Sequence, residues 1–436
     1  MHIKLWYCVM NKKLLLIAGN YFPEPTGIGH YNGEMIDWLA DNGFDCTVIS
    51  TYPYYPYWKI QPPYKGKSRW ITKEAKLSPG DNIITVYRCP HYTPANPTGK
   101  KRMLFDFSFF ISVIIKSVGF IGKKFDYVMT VTPPLPLGIA AAFYKKISGA
   151  QFLYHIQDLQ VDAAKELNMI SSKKLLNALF KIESFILKKA DRISTISKGI
   201  QKKVQLKTDK KIYLFPNWTN TNTFFPMEKR DCIKKSFGFE PDVPLVLYSG
   251  AIGEKQGLEN VLYAAAKFQE EEKKMQFIIC GTGPYKTELE TKAAEMKLNN
   301  LCFMPLQPTE KLNAFLNIAD AHLIIQKAGV ANLVMPSKLS NICSVGGLAV
   351  VTAEAGSALY DVIANNNIGF ICPPEDVIKL KTCIEKAVKT NNTALRTNAR
   401  SYAEKHLCIN KIMQQYITHV LSVDYSYPKL QLSVSK

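Results

Sequence analysis

KAGVANLVMPSKLSNICSVGGLA, residues 327–349, lies between two short apolar runs. The run before it, AHLIIQ (321–326), and the run that closes it, LAVVT (348–352), are typical of buried strands. Between them, a loop leads to a short helical segment that begins at Ser337-Lys338 and ends at a glycine pair. This order predicts a parallel α/β sheet with the loop at the carboxyl end of a strand, where ligands bind and a helix N-terminus favours anions.

Strand-like and helix-like segments alternate along most of the chain, which predicts α/β architecture with doubly wound parallel sheets. Further strands are predicted at 14–19, 46–50, 83–88, 126–131, 152–157, 192–197, 212–216, 245–250, 276–280 and 301–305. One segment, TYPYYPYWKIQPPY (51–64), breaks the alternation. Its prolines and aromatic residues predict an ordered loop.

The length of 436 residues favours two domains over a single core. A polar stretch at about 222–242 separates two series of alternating strands and helices. We therefore predict a first Rossmann-like domain at 10–222 and a second at 243–407. The last helical stretch, 408–423, is predicted to pack back on the first domain.

The net charge of +19 is concentrated in the first half of the chain. Up to residue 225 there are 31 Lys and Arg against 15 Asp and Glu, whereas the remainder has 24 against 21. Such a surface favours an anionic partner, which is a nucleic acid, an anionic membrane or an anionic substrate. No known RNA- or DNA-binding motif accompanies the basic residues, so a nucleic-acid partner is not expected.

Two features bear on the cellular compartment. The ten cysteines occur singly and without metal-ligand spacing, which predicts reduced thiols in a cytoplasmic protein. No apolar stretch reaches the ~20 residues of a transmembrane helix. The segment 100–124 combines apolar residues with flanking lysines, so it predicts either a helix lying in a membrane interface or an amphipathic helix of the core.

Two glycine motifs directly follow predicted strands. The first, PTGIGH, contains Gly27 and Gly29, which allow backbone N–H groups to approach a ligand. A tight turn between a strand and a helix explains the same glycines. The second, CGTGP, contains Gly281 and Gly283 and can accept a flat nucleobase against its backbone. By itself it is only a turn signal.

Lysines near two other strand ends are candidates for binding a diphosphate. A diphosphate leaving group gains negative charge, which a cation or oriented N–H groups must stabilise. Lys255 is the available cation in SGAIGEKQG, although a solvated loop lysine is the simpler alternative. Lys327 and the helix start at Ser337-Lys338 would hold the diphosphate, and the backbone around Gly329 would face a sugar.

Polar residues also end the strand FLYHIQ. His155 is placed to bond a sugar hydroxyl, and Asp158 is placed to orient an acceptor. A satisfied, half-buried pair at a strand end is the alternative interpretation.

The sequence lacks the DxD triplet that holds a metal-bound nucleotide sugar in many enzymes. It also lacks GxxxxGK[ST], HExxH and GxSxG. We therefore expect lysines and helix dipoles to meet the phosphate charge, without a metal ion or another cofactor.

The order and spacing of these motifs resemble those of the family 4 glycosyltransferases over nearly the whole chain. GIGHYNGEMIDWLADNGFDCTVIS resembles the N-terminal glycine loop of the family, and LFPNWTNTNTFFP resembles its "PNGVDtdrFrP" stretch. YSGAIGEKQGLENVL resembles its phosphate-binding loop, ICGTGP its "hGdGP", and MPSKLSNICSVGGLAVV its "PSKLyEyMAaGkPVi". GNYFPEPTGIGHYNGEM and HIQDLQVDAA are similar to the fucosyltransferase-like subgroup of colanic acid and related exopolysaccharide assembly.

This resemblance implies a GT-B fold, in which two Rossmann-like domains face a cleft that holds the active site. It implies retaining, metal-independent transfer from a nucleotide sugar, with GDP-fucose or a related GDP sugar as donor. The donor would bind the second domain. The acceptor, a lipid-linked saccharide or oligosaccharide, would bind the first domain at the inner face of an anionic plasma membrane.

The resemblance also implies roles for particular residues. Lys255 and Lys327 would stabilise the departing diphosphate, and His155 and Asp158 would position the sugar or the acceptor. The implied donor-binding set is Gly27, Gly29, Gly250, Gln256, Gly281, Gly283, Lys327, Gly329, Ser337, Lys338 and Asn341.

Two departures from the family pattern affect the donor site. The glutamates of the E-x7-E motif are replaced by Leu333 and Asn341. The lysine that precedes the glycine of the phosphate loop is replaced by Gln256, with Lys255 one position earlier. A sugar-nucleotide epimerase of the same fold and a non-catalytic, glycosyltransferase-like scaffold therefore stay open as alternatives.

Overall fold

The computed structural model describes residues 12–24, 27–166, 170, 172–228, 230–328, 336–389 and 392–421. It divides into two compact units. Unit 1 contains residues 12–215 and 413–421, and unit 2 contains residues 216–412. Each unit is built around its own sheet of parallel strands.

Unit 1 has an eight-stranded sheet. Its strands are β1 (Lys12–Ala18), β2 (Phe44–Thr51), β3 (Thr72–Leu77), β4 (Ile83–Cys89), β5 (Tyr127–Thr132), β6 (Gln151–Ile156), β7 (Arg192–Thr195) and β8 (Ile212–Leu214). Their order in the sheet is β3-β4-β2-β1-β5-β6-β7-β8, and only the edge strand β3 is antiparallel to its neighbour. The helices are α1 (Gly27–Asp41), α2 (Gly99–Val118), α3 (Leu137–Ser148), α4 (Gln160–Glu166), α5 (Lys173–Lys189) and α6 (Lys198–Gln205).

Unit 2 has a six-stranded parallel sheet. Its strands are β9 (Leu245–Ser249), β10 (Gln276–Cys280), β11 (Leu301–Met304), β12 (Ala321–Ile324), β13 (Ala349–Thr352) and β14 (Gly369–Cys372). The helices are α7 (Arg230–Ser236), α8 (Glu259–Glu270), α9 (Lys286–Glu295), α10 (Thr309–Asn317), α11 (Lys338–Ser344), α12 (Ala358–Asn366), α13 (Val377–Lys389), α14 (Thr393–Tyr402) and α15 (Ile409–Tyr416). The last helix begins in unit 2 and ends in unit 1.

Buried apolar residues explain why the central strands form. The β1 sequence KKLLLIA buries every residue from Leu14 to Ala18, which is typical of a strand covered on both faces. In unit 2, β13 is buried throughout and β9 is buried from Leu245 to Tyr248. The fold class and all twelve predicted strands are confirmed, with ends that shift by at most two residues.

Three parts of the chain differ from the sequence prediction. The edge strand β3 was missed because its sequence, TKEAKL, is polar and largely solvent-facing. The short strand β14 was also missed. The polar stretch at 222–242 contains α7, where Lys234 is buried and its Nζ lies 2.8 Å from Asp320 Oδ2. By contrast, residues 52–64 of the predicted loop 51–64 form neither helix nor strand, whereas its first residue, Thr51, ends β2.

The sheet of unit 2 has a switch point between β9 and β12. Its order is β11-β10-β9-β12-β13-β14, so the chain adds β10 and β11 on one side of β9 and then returns to the other side. The loops after β9 and β12 therefore leave the sheet in opposite directions. In sheets of this kind the space between them is where ligands bind.

Among the helices described, none is both long enough and apolar enough to cross a membrane.

Candidate functional site

The candidate site lies at the switch point of unit 2. Gly250 directly follows β9, and Gln326 and Lys327 follow β12. Lys338 is the first residue of α11, which has only seven residues. The structure thus brings together two of the segments that the sequence singled out separately.

Lys338 is a cation with an apolar neighbour. Its Nζ lies 3.6 Å from the centre of the Tyr248 ring, which is fully buried. A Cβ on Gly250 would lie 2.9 Å from the same Nζ. Burial lowers the pKa of Lys338 to about 7, and no charged group in the described part of the chain offsets this shift. Lys338 is therefore an amine without a counter-ion among the described residues, and an anionic ligand at this edge would favour its charged form.

Lys327 also contacts the loop that follows β9. It lies at the start of the segment 327–349, whereas Lys338 lies further along that segment. Its Cγ lies 2.9 Å from where a Cβ on Gly257 would be, and its Nζ lies 4.0 Å from Glu259 Oε1. The Tyr285 hydroxyl donates to this carboxylate oxygen at 2.6 Å, and this contact raises the pKa of Tyr285. Two lysines from one segment thus lie over two glycines of the loop that follows β9.

Two buried polar atoms beside Lys327 have no hydrogen-bond partner within the described residues. They are Glu259 Oε2 and Gln326 Oε1. The Gln326 backbone itself is fixed, because its N–H donates to Thr352 Oγ1 at 2.7 Å and its carbonyl accepts from that hydroxyl at 2.9 Å. Buried acceptors without donors are uncommon, and here they mark a place where a ligand with hydroxyl or N–H groups would fit.

Close backbone packing explains why glycine is needed at positions 281 and 283. A Cβ on Gly281 would lie 1.9 Å from the Gly250 carbonyl oxygen, and a Cβ on Gly283 would lie 1.9 Å from that of Ile252. The loop after β9 also donates two backbone hydrogen bonds to the neighbouring segment, from Gly250 N–H to Cys280 O at 2.9 Å and from Ile252 N–H to Thr282 O at 3.0 Å. The glycines therefore allow two loops to run side by side, whether or not a nucleobase lies on them.

The loop after β9, which the sequence predicts to bind phosphate, is only partly described. The Gln256 side chain turns back on its own loop, where its Oε1 accepts from the Gly253 N–H at 3.1 Å. The side chain of Lys255 lies outside the described part of the structure, as do Gly329 and Leu333. Their predicted roles stay predictions.

Asn341 and Ser337 lie on and just before α11. Asn341 Oδ1 accepts from the hydroxyl of the buried Thr219 at 2.9 Å, so this amide links α11 to the segment that enters unit 2. Ser337 is exposed, and its side chain makes no capping hydrogen bond to α11. A contact of either residue with a donor stays a prediction.

Gly27 and Gly29 lie in the first turn of α1, in unit 1. Gly27 has a φ of +65°, which favours glycine, and a Cβ on Gly29 would lie 2.6 Å from Glu24 Oε2. Glu24 is buried, and its Oε1 accepts the backbone N–H groups of Tyr54 and Tyr55 at 3.1 and 3.0 Å. Burial raises the pKa of Glu24 to about 7. Sequence analysis missed this glutamate, which ties the glycine loop to the aromatic loop after β2.

His155 is buried at the end of β6, with 2% of its surface exposed. Its Nε2 lies 3.1 Å from Gln157 Nε2, a donor, so Nδ1 carries the ring proton and donates to Ser194 Oγ at 2.9 Å. Burial lowers the pKa of His155 to about 3. A bond to a sugar hydroxyl would therefore require the neutral ring to give up one of these contacts. Asp158, two residues after the strand, is exposed.

The groups at the switch point can bind an anion with attached hydroxyl groups. Lys327 and Lys338 supply positive charge, and Glu259 and Gln326 supply acceptors. Sequence analysis missed both acceptors, although Gln326 is the polar end of the apolar run AHLIIQ. Within the described residues, no group of three His, Cys, Asp or Glu side chains is placed to hold a metal ion.

Comparison with known proteins gives matches over most of the chain. Residues 229–406 match the model of the family described as "Glycosyl transferases group 1". The chain is 36% identical to the "Putative colanic acid biosynthesis glycosyl transferase WcaI" of Escherichia coli K12 over 418 residues, which cover 94% of this chain and 99% of that protein.

Solved structures show the same fold at lower identity. Sucrose-phosphate synthase from Thermosynechococcus elongatus has a TM-score of 0.68 at 17% identity, covering 93% of this chain and 97% of that one. HepE of Anabaena, solved in complex with UDP, has a TM-score of 0.67 at 14% identity, covering 94% and 100%. Both units are thus matched together by proteins of one architecture, and the resemblance noted in the sequence is confirmed. The chain belongs to the group 1 glycosyl transferases, and it is a glycosyltransferase with the GT-B fold.

Proposed function

We propose that this glycosyltransferase moves a sugar from a nucleotide-sugar donor to a lipid-linked or oligosaccharide acceptor, with retention of configuration. The product belongs to exopolysaccharide, capsule or O-antigen biosynthesis, and the enzyme works on the cytoplasmic face of the plasma membrane. The relative from Escherichia coli is named for colanic acid biosynthesis, which supports this pathway class. A single observation carries the donor assignment: Lys338 lies beside Gly250 and Lys327 beside Gly257, so both lysines lie against the loop that follows β9 at the switch point of unit 2.

The proposed transfer reaction requires positive charge beside the diphosphate leaving group. The bond between the sugar C1 and the diphosphate oxygen breaks, the acceptor oxygen bonds to C1 on the same face, and the acceptor proton passes to the departing phosphate oxygen. No protein nucleophile and no metal ion take part in this proposal. Lys327, Lys338 and Lys255 stabilise the negative charge that develops on the nucleoside diphosphate.

The donor hydroxyl groups have partners available. Glu259 Oε2 and Gln326 Oε1 are buried acceptors that a ribose or sugar hydroxyl would satisfy. They offer polar contacts in a site where Leu333 and Asn341 replace the two glutamates of the resembling family. We therefore propose that the donor is held by lysine, amide and backbone groups together with Glu259.

A panel of GDP and UDP sugars tests the donor, with GDP-fucose tried first. A rise in the thermal midpoint with one nucleotide sugar, in buffer that contains EDTA, is the expected result. Transfer to an acceptor supports the proposal, whereas a soluble isomer formed from donor alone indicates an epimerase. Absence of binding to every nucleotide sugar indicates a scaffold and contradicts the proposal.

Lys255→Ala is expected to remove most transferase activity while leaving the fold intact. The reason is the loss of a cation from the phosphate-binding loop, which weakens stabilisation of the departing diphosphate. Initial rates at saturating acceptor measure the effect, and circular dichroism checks the fold. Lys267→Ala, in the last turn of α8, is the matched control and should keep normal activity. Unchanged turnover in Lys255→Ala would contradict the assignment of Lys255 to the diphosphate site.

Helix α2 carries an apolar stripe that faces solvent. Its exposed apolar residues are spaced three or four apart and are 44–61% exposed; they are Leu104, Phe107, Ile111, Ile115 and Val118. The opposite side of α2 packs into the core of unit 1 through Phe109 and Val113, and Phe105 is buried as well. The helix is thus a core element that also presents an apolar surface to solvent, and its placement in a membrane interface stays a prediction.

Positive charge flanks this stripe at both ends. Lys100, Lys101 and Arg102 precede it, and Lys123 and Lys124 follow it, all exposed. Apolar side chains flanked by lysines match the interface of an anionic bilayer, where the side chains enter the lipid and the cations meet the headgroups. We propose that α2 is the surface through which the enzyme docks on the membrane that holds its acceptor.

Vesicle sedimentation tests this docking. Replacing Lys100, Lys101 and Arg102 by Gln should weaken binding to phosphatidylglycerol-containing vesicles by roughly 100-fold, since each lost cation costs about 1 kcal/mol near an anionic surface. Ile115→Asp should also weaken binding, whereas Leu206→Asp changes an exposed but isolated leucine and should not. Binding that survives both α2 changes would exclude α2 as the membrane surface.

A further inference from the structure

The sheet of unit 1 also has a switch point, between β1 and β5. Its central strands run in the order β2-β1-β5-β6, so the loops after β1 and β5 leave the sheet in opposite directions. The two loops are in contact at their base, since a Cβ on Gly19 would lie 2.7 Å from Pro134 Cδ. The loop after β1 leads into α1, whose first N–H groups lack intrahelical partners and favour an anion. The shape of this loop therefore sets the direction of those N–H groups.

Glu24 lies in the loop after β1 and is buried, with 3% of its surface exposed. Its Oε1 accepts the backbone N–H groups of Tyr54 and Tyr55 at 3.1 and 3.0 Å. Its Oε2 accepts from Asn20 Nδ2 at 2.8 Å. One carboxylate thus joins the loop after β1 to the loop after β2. Three donors suit the ionised form of this side chain, which has acceptors only.

Neighbouring contacts hold Glu24 against the glycine turn, residues 27–29, at the start of α1. A Cβ on Gly29 would lie 2.9 Å from Glu24 Cβ, so the glutamate occupies the space that a larger residue would need. The Asn32 amide, one turn further along α1, donates to Asn20 O at 2.9 Å and so holds the residue that donates to Glu24. A change in the hydrogen bonds of Glu24 therefore acts on the first turn of α1.

The charged and titratable groups that act on Glu24 come from β4 and from the loop after β2. Arg88, on β4, favours the charged carboxylate. Tyr54 and Tyr55 are neutral, because burial and the nearby carboxylate raise the pKa of both phenols. From α1, Gly29 faces Glu24 and does not titrate. Burial outweighs Arg88 and the hydrogen bonds and raises the pKa of Glu24 to about 7, so its charge changes near neutral pH.

Protonation of Glu24 conflicts with the observed hydrogen bonds. A protonated carboxyl group carries a hydrogen on one oxygen, which then points a donor at a group that is itself a donor. The backbone N–H groups of Tyr54 and Tyr55 cannot rotate, so the proton goes to Oε2 and the Asn20 amide has to turn away. The loop after β1 then loses a contact that supports the glycine turn.

We propose that Glu24 is a positioning residue of the transfer reaction: in its ionised form it holds the glycine turn in the shape that transfer requires. This inference rests on the proposed function, since the step it affects is the proposed transfer. Because Glu24 is buried, it acts through the backbone N–H groups of the glycine turn and not by contact with a substrate. The donor lysines belong to unit 2, so loss of Glu24 should lower kcat and leave donor affinity nearly unchanged.

Glu24→Gln tests this role, because glutamine keeps the size and an acceptor oxygen but has no charge. In the unchanged protein, kcat at saturating substrates should fall below pH 7 by up to about tenfold per pH unit, as Glu24 takes up a proton. In Glu24→Gln, kcat should be roughly tenfold lower at pH 8 and independent of pH between 6 and 8. Its donor dissociation constant, measured by calorimetry, should stay within about twofold. Asp45→Asn, an exposed acid near the amino end of β2, is the matched control and should behave as the unchanged protein does.

Hydrogen exchange gives a readout that needs no activity. Exchange in residues 27–33 and 52–57, corrected for the intrinsic effect of pH, should be faster at pH 6 than at pH 8 in the unchanged protein. In Glu24→Gln the corrected exchange should not depend on pH. If the unchanged protein transfers no sugar but its exchange depends on Glu24 in this way, the proposed function fails and the assignment of Glu24 to the glycine turn stands.

Three results would overturn the inference while leaving the proposed function in place. One is a kcat of Glu24→Gln at pH 8 equal to that of the unchanged protein. Another is a fall in kcat below pH 7 that persists in this variant. The third is a loss of kcat that only matches the loss of folded protein measured by circular dichroism, since that would show a purely structural role.

Discussion

Lys338→Met is expected to weaken binding of the nucleotide sugar by roughly 10- to 100-fold, the loss typical of a buried, charge-assisted contact. The reason is geometric. Lys338 Nζ lies 3.6 Å from the centre of the Tyr248 ring and beside Gly250, so packing fixes the amine at the end of β9, where the diphosphate is proposed to bind. Titration of the donor by calorimetry measures the effect, with thermal unfolding as a check that the fold is retained.

The pH dependence of donor binding gives Lys338 a second, independent readout. In the free protein burial lowers its pKa to about 7, and a bound diphosphate would raise that pKa again. Binding then takes up a proton above pH 7, so the donor dissociation constant should rise by up to about tenfold per pH unit from pH 7 upward. The diphosphate of a nucleotide sugar is fully ionised above pH 7, so its own titration does not contribute to this pH dependence.

Lys338→Arg is the matched variant for this pH effect. A guanidinium keeps its charge at every pH tested, so this variant should bind the donor with a flatter pH profile than the unchanged protein. Donor affinity that is independent of pH between 7 and 9 in the unchanged protein would contradict the assignment of Lys338 to the diphosphate. Equal affinity of the Met variant would contradict it as well.

The sequence was sufficient for the fold because the parallel strands are continuous apolar runs. LLLIA in β1 and AVVT in β13 are buried throughout, and burial of this kind leaves a clear pattern. The polar edge strand β3 leaves no such pattern, since its side chains alternate toward solvent. The strand β3 was therefore missed because its stability comes from the neighbouring strand and not from its own apolar residues.

The site was harder to predict because its key contacts join distant segments. Lys338 and Tyr248 are 90 residues apart in sequence, and no spacing rule connects a lysine at a helix start with a tyrosine in a strand. Glu24 and its partners Tyr54 and Tyr55 pose the same difficulty. Motifs identified which loops lie at the carboxyl edge of the sheet, whereas the pairing of side chains across those loops depends on packing.

Gly283→Ala is expected to destabilise unit 2 by roughly 3 kcal/mol, since overpacking against a fixed backbone typically costs about 1–3 kcal/mol and two hydrogen bonds are strained with it. The new Cβ would lie 1.9 Å from the carbonyl oxygen of Ile252 and 2.9 Å from its nitrogen. Ile252 is fully buried, and its backbone bonds to Thr282 and Tyr285 would have to lengthen. The midpoint of thermal unfolding should fall by about 6–12 °C.

Gly66→Ala is the control for this prediction, because a Cβ at Gly66 meets no atom within 4 Å. Its thermal midpoint should equal that of the unchanged protein. The same pair of variants decides between the two explanations of the CGTGP motif. If Gly283→Ala keeps its thermal midpoint but loses donor affinity, the glycine serves a nucleobase, and the structural explanation is wrong. If stability falls and the remaining folded protein binds the donor normally, the glycine serves the packing of the two loops, because a fixed neighbouring carbonyl leaves no space for any side chain.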